Sequence, residues 1–143
     1  MGKKGFAAVV DAFWDEASDV FAFLASEFGL NGPERSNLVI PAITYTGGGV
    51  RYEVMLDTRE KNVDTSVNVA LETETLDAPL EALVAAAGLG ARNHVTSKAA
   101  TLSGLRHTLE LHAQYMRLLM PYMTPEKVVD LMRAADAREW TGS

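Results

Sequence analysis

VRYEVMLDTREKNVDTSVNVALE, residues 50–72, is the stretch that decides the fold of this chain. Its first part alternates apolar with mostly polar residues: Val50, Tyr52, Val54 and Leu56 against Arg51, Glu53, Met55 and Asp57. Val63–Glu72 repeats the alternation. A period of two is typical of strands with one buried face. We therefore predict two antiparallel strands joined by a short charged loop, Thr58–Asn62.

The residues before this stretch predict a third strand. Residues 38–46 are rich in Val, Ile, Thr and Tyr, which favour strands. Pro41 cannot donate a ladder hydrogen bond, so we expect an edge strand. Gly47–Gly49 predicts a hairpin turn, because no phosphate-loop spacing surrounds these glycines. Residues 31–37, with Gly32 and Pro33, predict a connecting loop.

Helices are predicted on both sides of these strands. Apolar residues at intervals of three and four favour a helix from about Lys4 to Phe28, ended by Gly29. Three helices are predicted after the strands: residues 78–87, a long helix capped by Thr96 or Ser97 and reaching Met120, and residues 125–135. The core stripe of the long helix should contain Leu102, Leu105, Leu109 and Met116.

The expected fold class is α+β. We predict an N-terminal helix, a three-stranded antiparallel meander and then three C-terminal helices packed on one sheet face. The 143 residues, 48% of them hydrophobic, suffice for one core, so a single domain over residues 1–143 is expected.

Composition excludes several classes of function. With 19 acidic and 13 basic residues the net charge is -6, which disfavours binding to nucleic acid and to anionic membranes. The lack of cysteine excludes disulfides and thiolate chemistry. No apolar run is long enough to span a bilayer, so we expect a cytoplasmic protein without nucleic-acid or membrane partners.

The order of elements resembles a widespread group of small, uncharacterised bacterial α+β proteins. The resemblance is carried by Phe28-Gly29-Leu30 at a helix end, by Tyr45 in a strand, and by Val54, Leu56, Asp57 and Arg59 in the pattern V-x-V/L-x-x-D-x-R. It implies no catalytic residues. It implies that the chain acts as a toxin-immunity-like partner of another protein.

The titratable residues give no catalytic signature. Asp57, Arg59, Glu60 and Asp64 cluster around one predicted turn, where paired carboxylates can do acid–base work or bind a cation, but a hairpin location favours solvated surface residues. His107 and His112 are five residues apart, hence about 140° apart on a helix rather than on one metal-binding face. We expect no catalytic residues, no cofactor and no metal.

The first helix suggests a surface for a partner. Its acidic residues lie on the arc opposite the apolar stripe, with no Lys or Arg between Asp11 and Glu27, and Phe23 projects into that arc. The leading hypothesis is a non-enzymatic protein-interaction module, immunity-like or an adaptor. The candidate protein-binding face comprises Asp15, Asp19, Phe23, Arg51, Glu53, Asp57, Arg59 and Asp64.

Two alternatives to the interaction module remain open from the sequence. One is a small-molecule binder with an apolar pocket between sheet and helices, lined by Tyr45, Tyr52, Met116 and Met120. Another is an enzyme that uses Asp57, Glu60 or His107. Homo-oligomerisation is compatible with each, through Val63–Glu72 or through helix faces.

Overall fold

Six antiparallel strands form one sheet, in which the spatial order of the strands is their order in the chain. The computed structural model describes residues 5–37 and 39–141, so Lys4 and Leu38 of the predicted elements, and both ends of the predicted domain, lie outside the described residues. The prediction of three strands was wrong, although α+β and the antiparallel sheet are confirmed. The strands are β1 Asn31–Ser36, β2 Ala42–Gly47, β3 Val50–Asp57, β4 Asn62–Ala70, β5 Glu74–Pro79 and β6 Arg138–Thr141.

The helices are interleaved with the strands differently from the prediction. They are α1 Phe6–Val20, the four-residue turn α2 Phe23–Ser26, α3 Leu80–Ala86, α4 Leu102–Leu119 and α5 Val128–Ala134. The predicted first helix is therefore interrupted after Val20. The last three helices lie between β5 and β6 in the sequence. The last strand of the sheet therefore follows these helices in the chain and pairs with β5.

The central hairpin of β3 and β4 is confirmed with its predicted faces. Tyr52 is aligned with Val67 and Val54 with Thr65, and all four side chains are buried. The preceding turn is Gly48-Gly49, with φ of 60° and 79°. Two consecutive residues with positive φ are characteristic of the two-residue turn that matches strand twist, and glycine adopts them without steric strain.

The two strands predicted to have a free edge, the strand with Pro41 and Val63–Glu72, both lie in the interior of the sheet. β2 pairs with β1 on one side and with β3 on the other, so it is an interior strand. Pro41 lies just before β2, and its carbonyl accepts a hydrogen bond from the Leu56 N–H at 2.9 Å. Because Pro41 precedes the strand, the backbone N–H that proline lacks does not interrupt the hydrogen bonds of β2. β4 is also paired on both sides, which leaves no free edge at Val63–Glu72 for a second copy of the chain.

One face of the sheet is covered by helices. Its buried side chains pack in a single cluster with α1, through Val9 and Phe13, and with α4, through Leu105 and Leu109. Leu102 is 52% exposed, so its place in the predicted stripe was wrong. The reason is that α4 begins later than predicted: Thr101 is its N-cap, and its Oγ1 accepts a hydrogen bond from the Gly104 N–H at 3.0 Å.

Residues 97–99, just before α4, form backbone hydrogen bonds to the start of β4. The Val63 N–H donates to the Ser97 carbonyl at 2.8 Å, and the Ala99 N–H donates to the Lys61 carbonyl at 2.9 Å. Segment 97–99 thereby covers the first part of β4, which β5 does not reach. Within residues 5–37 and 39–141, no helix combines the length and the apolar character needed to cross a bilayer.

The corrected core stripe makes a direct prediction. Leu105→Ala should lower the free energy of unfolding by about 2–5 kcal/mol, because the substitution leaves a cavity in the core. Leu102→Ala removes the same atoms from an exposed position and should cost less than about 1 kcal/mol. Urea unfolding of the two variants measures this difference, and equal losses would contradict the observed start of α4.

Candidate functional site

The second face of the sheet carries polar side chains and no covering helix among the described elements. We call it the outer sheet face. Register places the following residues on it: Glu34, Thr44, Thr46, Arg51, Glu53, Met55, Asp64, Ser66, Asn68, Asp77 and Arg138. In β2–β5 they alternate with buried residues, whereas every residue of β1 is exposed. In the part of the chain that the structure describes, none of these side chains belongs to the hydrophobic core.

Arg51 lies near the centre of this face, between Thr46 on β2 and Asn68 on β4. Its guanidinium donates to the Glu53 carboxylate at 2.8 Å, and its side chain remains 55% exposed. Two shallow hollows adjoin it. One, of about 360 Å³, has Gly47, Gly49 and Ala70 among its lining residues, while the other, of about 250 Å³, extends towards Glu34 and Ser36.

Asp77 lies further along the same row. It accepts a hydrogen bond from the Asn68 amide at 2.7 Å. Partial burial raises the pKa of the Asp77 carboxyl above its ordinary value, in spite of the opposing effects of Arg138 and Asn68. Asn68 and Asp77 therefore form a hydrogen-bonded polar pair in this row.

Asp64 carries negative charge among like charges. Partial burial of its carboxylate raises its pKa, and repulsion from Asp57 and Glu81 raises it further, although the residue as a whole is exposed. Among the described residues, the side chains of Asp64 and Glu34 form no hydrogen bond and no ion pair. The outer sheet face thus carries carboxylates that no arginine or lysine of the described chain neutralises.

The acidic arc of α1 has a different environment. Asp15 pairs with Arg35 of β1 at 2.9 Å, and Arg106 of α4 contacts Glu16 at 2.7 Å and Asp19 at 2.8 Å. The expectation that no base balances this arc was wrong, because the bases come from distant parts of the chain.

Phe23 does not project into solvent. It is 7% exposed and packs against the Phe21 and Phe28 rings. The Arg117 guanidinium lies 4.3 Å from its ring centre and also donates to Glu27 at 2.6 Å. Phe23 and the acids around it therefore hold the N-terminal helices on α4.

The eight predicted site residues do not form one surface. Asp15, Asp19 and Phe23 belong to helices on the covered side of the sheet, whereas Arg51, Glu53 and Asp64 lie on the outer sheet face. Asp57 and Arg59 are at the hairpin end. There one Asp57 carboxylate oxygen accepts the N–H groups of Arg59 at 2.9 Å and Glu60 at 3.0 Å, so Asp57 stabilises the turn.

The pocket predicted between sheet and helices is filled. Tyr45, Tyr52, Met116 and Met120 are all buried in the core cluster. Burial raises the pKa of Tyr52 to about 12. The Tyr45 hydroxyl is buried without a hydrogen-bond partner among the described residues, and burial raises its pKa. Tyrosines in this environment stay protonated at neutral pH.

His112 is a buried polar residue whose contacts the sequence does not reveal. One ring nitrogen, Nε2, lies 2.8 Å from the Thr96 carbonyl, which can only accept, so Nε2 carries the proton. In the neutral ring Nδ1 then accepts from the Thr65 hydroxyl at 2.8 Å. His112 thus ties α4 to β4 and to the loop before α4. Its Thr65 partner is 47 residues away in the chain, so no local pattern predicts the contact.

In residues 5–37 and 39–141, no three His, Asp or Glu side chains are grouped so that they could hold a metal ion. No protein-family model, curated protein or solved structure matches the chain. The resemblance to small bacterial α+β proteins therefore stays a prediction.

The environment of His112 predicts an acid-sensitive fold. Burial lowers its pKa below 6.5, opposed by the hydrogen bond to Thr96. Below pH 6.5 the unfolded chain takes up a proton that the folded chain refuses, so stability falls as the pH drops towards the folded pKa and then levels off. The slope is at most about 1.4 kcal/mol per pH unit. Urea unfolding should show this loss between pH 7.5 and 5.5 in the wild type and not in His112→Gln; the same loss in both would refute it.

The Asp64 carboxylate affects the pH dependence of stability in the direction opposite to His112. Because its folded pKa is raised, the ionised carboxylate weakens the fold at neutral pH, and the penalty disappears as the pH falls through the folded pKa towards 3.8. Asp64→Asn should therefore stabilise the protein at pH 7 by up to about 0.5 kcal/mol, a small gain because solvent screens an exposed charge. A loss of stability in urea at pH 7 would show that Asp64 has a structural partner.

Proposed function

We propose that this protein is a non-enzymatic protein-interaction module that binds its partner through the outer sheet face. The observation that carries the proposal is the contrast between the two sides of the sheet. The acids on the helical side are paired with Arg35 and Arg106, whereas Glu34 and Asp64 on the outer face are not paired within the described chain.

The size of the outer sheet face supports a protein partner. Five spacings of about 4.8 Å between six strands give a width of about 24 Å, and an eight-residue strand is about 27 Å long. The resulting plan area is at most about 650 Å², because β1, β2, β5 and β6 are shorter than eight residues, and it is of the same order as the ~800 Å² that each partner contributes to a standard interface. The hollows beside Arg51 are depressions in this surface that can accommodate side chains of a partner.

An immunity-like or adaptor role in the cytoplasm agrees with this proposal and stays a prediction. A small-molecule site was the alternative, but the side chains expected to line it are packed in the core. Chemistry at Asp57 is disfavoured, because its carboxylate is used by the backbone of the turn. Homo-oligomerisation also stays a prediction, with the helix faces as its expected surface, because Val63–Glu72 is paired on both sides within the sheet.

Affinity capture with matched variants tests the proposal. Thr46→Arg places a long charged side chain on the outer sheet face beside both hollows, whereas Gln114→Arg makes the same charge change on an exposed position of α4. We expect wild type and Gln114→Arg to retain the same protein from a lysate of the source cells, and Thr46→Arg to lose at least about 90% of it.

Circular dichroism should first confirm that both arginine variants are folded. Equal retention by the two variants would place the interface elsewhere, and retention of no protein at low or high salt would contradict an interaction module.

A further inference from the structure

We propose that the partner contacts the outer sheet face with a basic segment, whose Lys or Arg side chains lie against Glu34 and Asp64. This inference rests on the proposed function and specifies the chemistry of the partner.

Acidic side chains outnumber basic ones on the outer sheet face. Register places Glu34 and Glu53 on either side of Thr44 in one row, and Met55 beside Asp64 in the next. Arg51 on β3 pairs with Glu53, and Arg138 on β6 is aligned with Asp77 and acts on its charge. Lys98 is aligned with Asn62 at the far end of the face, and its charge is not among the causes of the Asp64 pKa shift.

The remaining negative charge has a specific location. Arg35, Arg106 and Arg117 pair with acids on the helical side. On the outer sheet face Glu53 pairs with Arg51 and Asp77 is close to Arg138, so Glu34 and Asp64 are the carboxylates without a basic partner among the described residues. The neighbours that act on Asp64 through charge are Asp57 and Glu81, both acidic. A cation placed there relieves this repulsion, whereas an acidic or phosphate-bearing partner increases it.

Met55 makes the site more than an electrostatic patch. It is partly exposed and lies between Ala42 and Asp64 in the same row. A flexible thioether beside carboxylates suits the aliphatic stem of a lysine or arginine, whose charged end can then reach a carboxylate. The expected partner segment therefore carries long basic side chains rather than small polar ones.

Fluorescence anisotropy with two labelled peptides tests this chemistry. The probe is a twelve-residue peptide of alternating lysine and serine, and its control replaces lysine with glutamate. The wild-type protein should bind the lysine peptide in 20 mM salt, bind it several-fold more weakly in 150 mM salt, and not bind the glutamate peptide.

Two double variants of equal charge show where the peptide binds. Glu34→Gln with Asp64→Asn removes two charges from the outer sheet face, whereas Glu126→Gln with Asp130→Asn removes two exposed charges at and just before α5. We expect the first to weaken binding about tenfold and the second less than twofold. If the first variant melts earlier than wild type, Asp64→Asn alone is used, with an expected loss of about threefold.

Equal losses in both double variants, or no binding in 20 mM salt, would overturn the inference. Capture of a partner that Thr46→Arg loses but that meets this face with a neutral or acidic surface would also overturn it, while leaving the proposed function intact. The proposed function fails separately, if Thr46→Arg retains the partner as well as wild type does.

Discussion

The structure depends on the alternation of side chains in β3 and β4. Every second residue, including Tyr52 and Val54, is buried against α1 and α4, and every intervening residue is directed away from the helices. A shift of register by one residue would bury Arg51 and Glu53 and expose the tyrosine, at a large cost in desolvation and lost burial. The same alternation therefore fixes the covered face and the outer sheet face together.

A second constraint is how charge is divided between the two sides of the sheet. Three arginines bind the N-terminal helices to β1 and α4, with Arg106 and Arg117 each reaching acids about 90 residues earlier in the chain. These exposed pairs contribute little stability individually, but they neutralise the acidic arc of α1. Acidic groups without such partners remain on the outer sheet face, which is why we assign the interface to that side.

The central hairpin and the existence of the helices could be predicted from the sequence, because both depend on local periodicity. β1 could not, since its residues are polar, contain Gly32 and Pro33, and are held by pairing with β2 and by contacts from α1, such as the Trp14 indole N–H to the Ser36 carbonyl at 3.3 Å. β6 likewise forms in a charged tail through pairing with β5.

The candidate site was predictable only in part. Alternation placed Arg51, Glu53 and Asp64 on a polar face, and the structure agrees. It could not show that the acids of α1 have partners, because Arg35 and Arg106 approach them only after folding. The same holds for His112, whose role depends on a strand and a loop distant in sequence.

Methionine methyl NMR measures the central claim most directly, because the chain carries natural probes on both sides of the sheet. Met55 lies on the outer sheet face, while Met116 and Met132 are completely buried in the core. When the captured partner is added to protein labelled at the methionine methyl groups, the account predicts that the Met55 resonance shifts or broadens and that the Met116 and Met132 resonances stay in place. Binding of the partner with an unchanged Met55 resonance would contradict it.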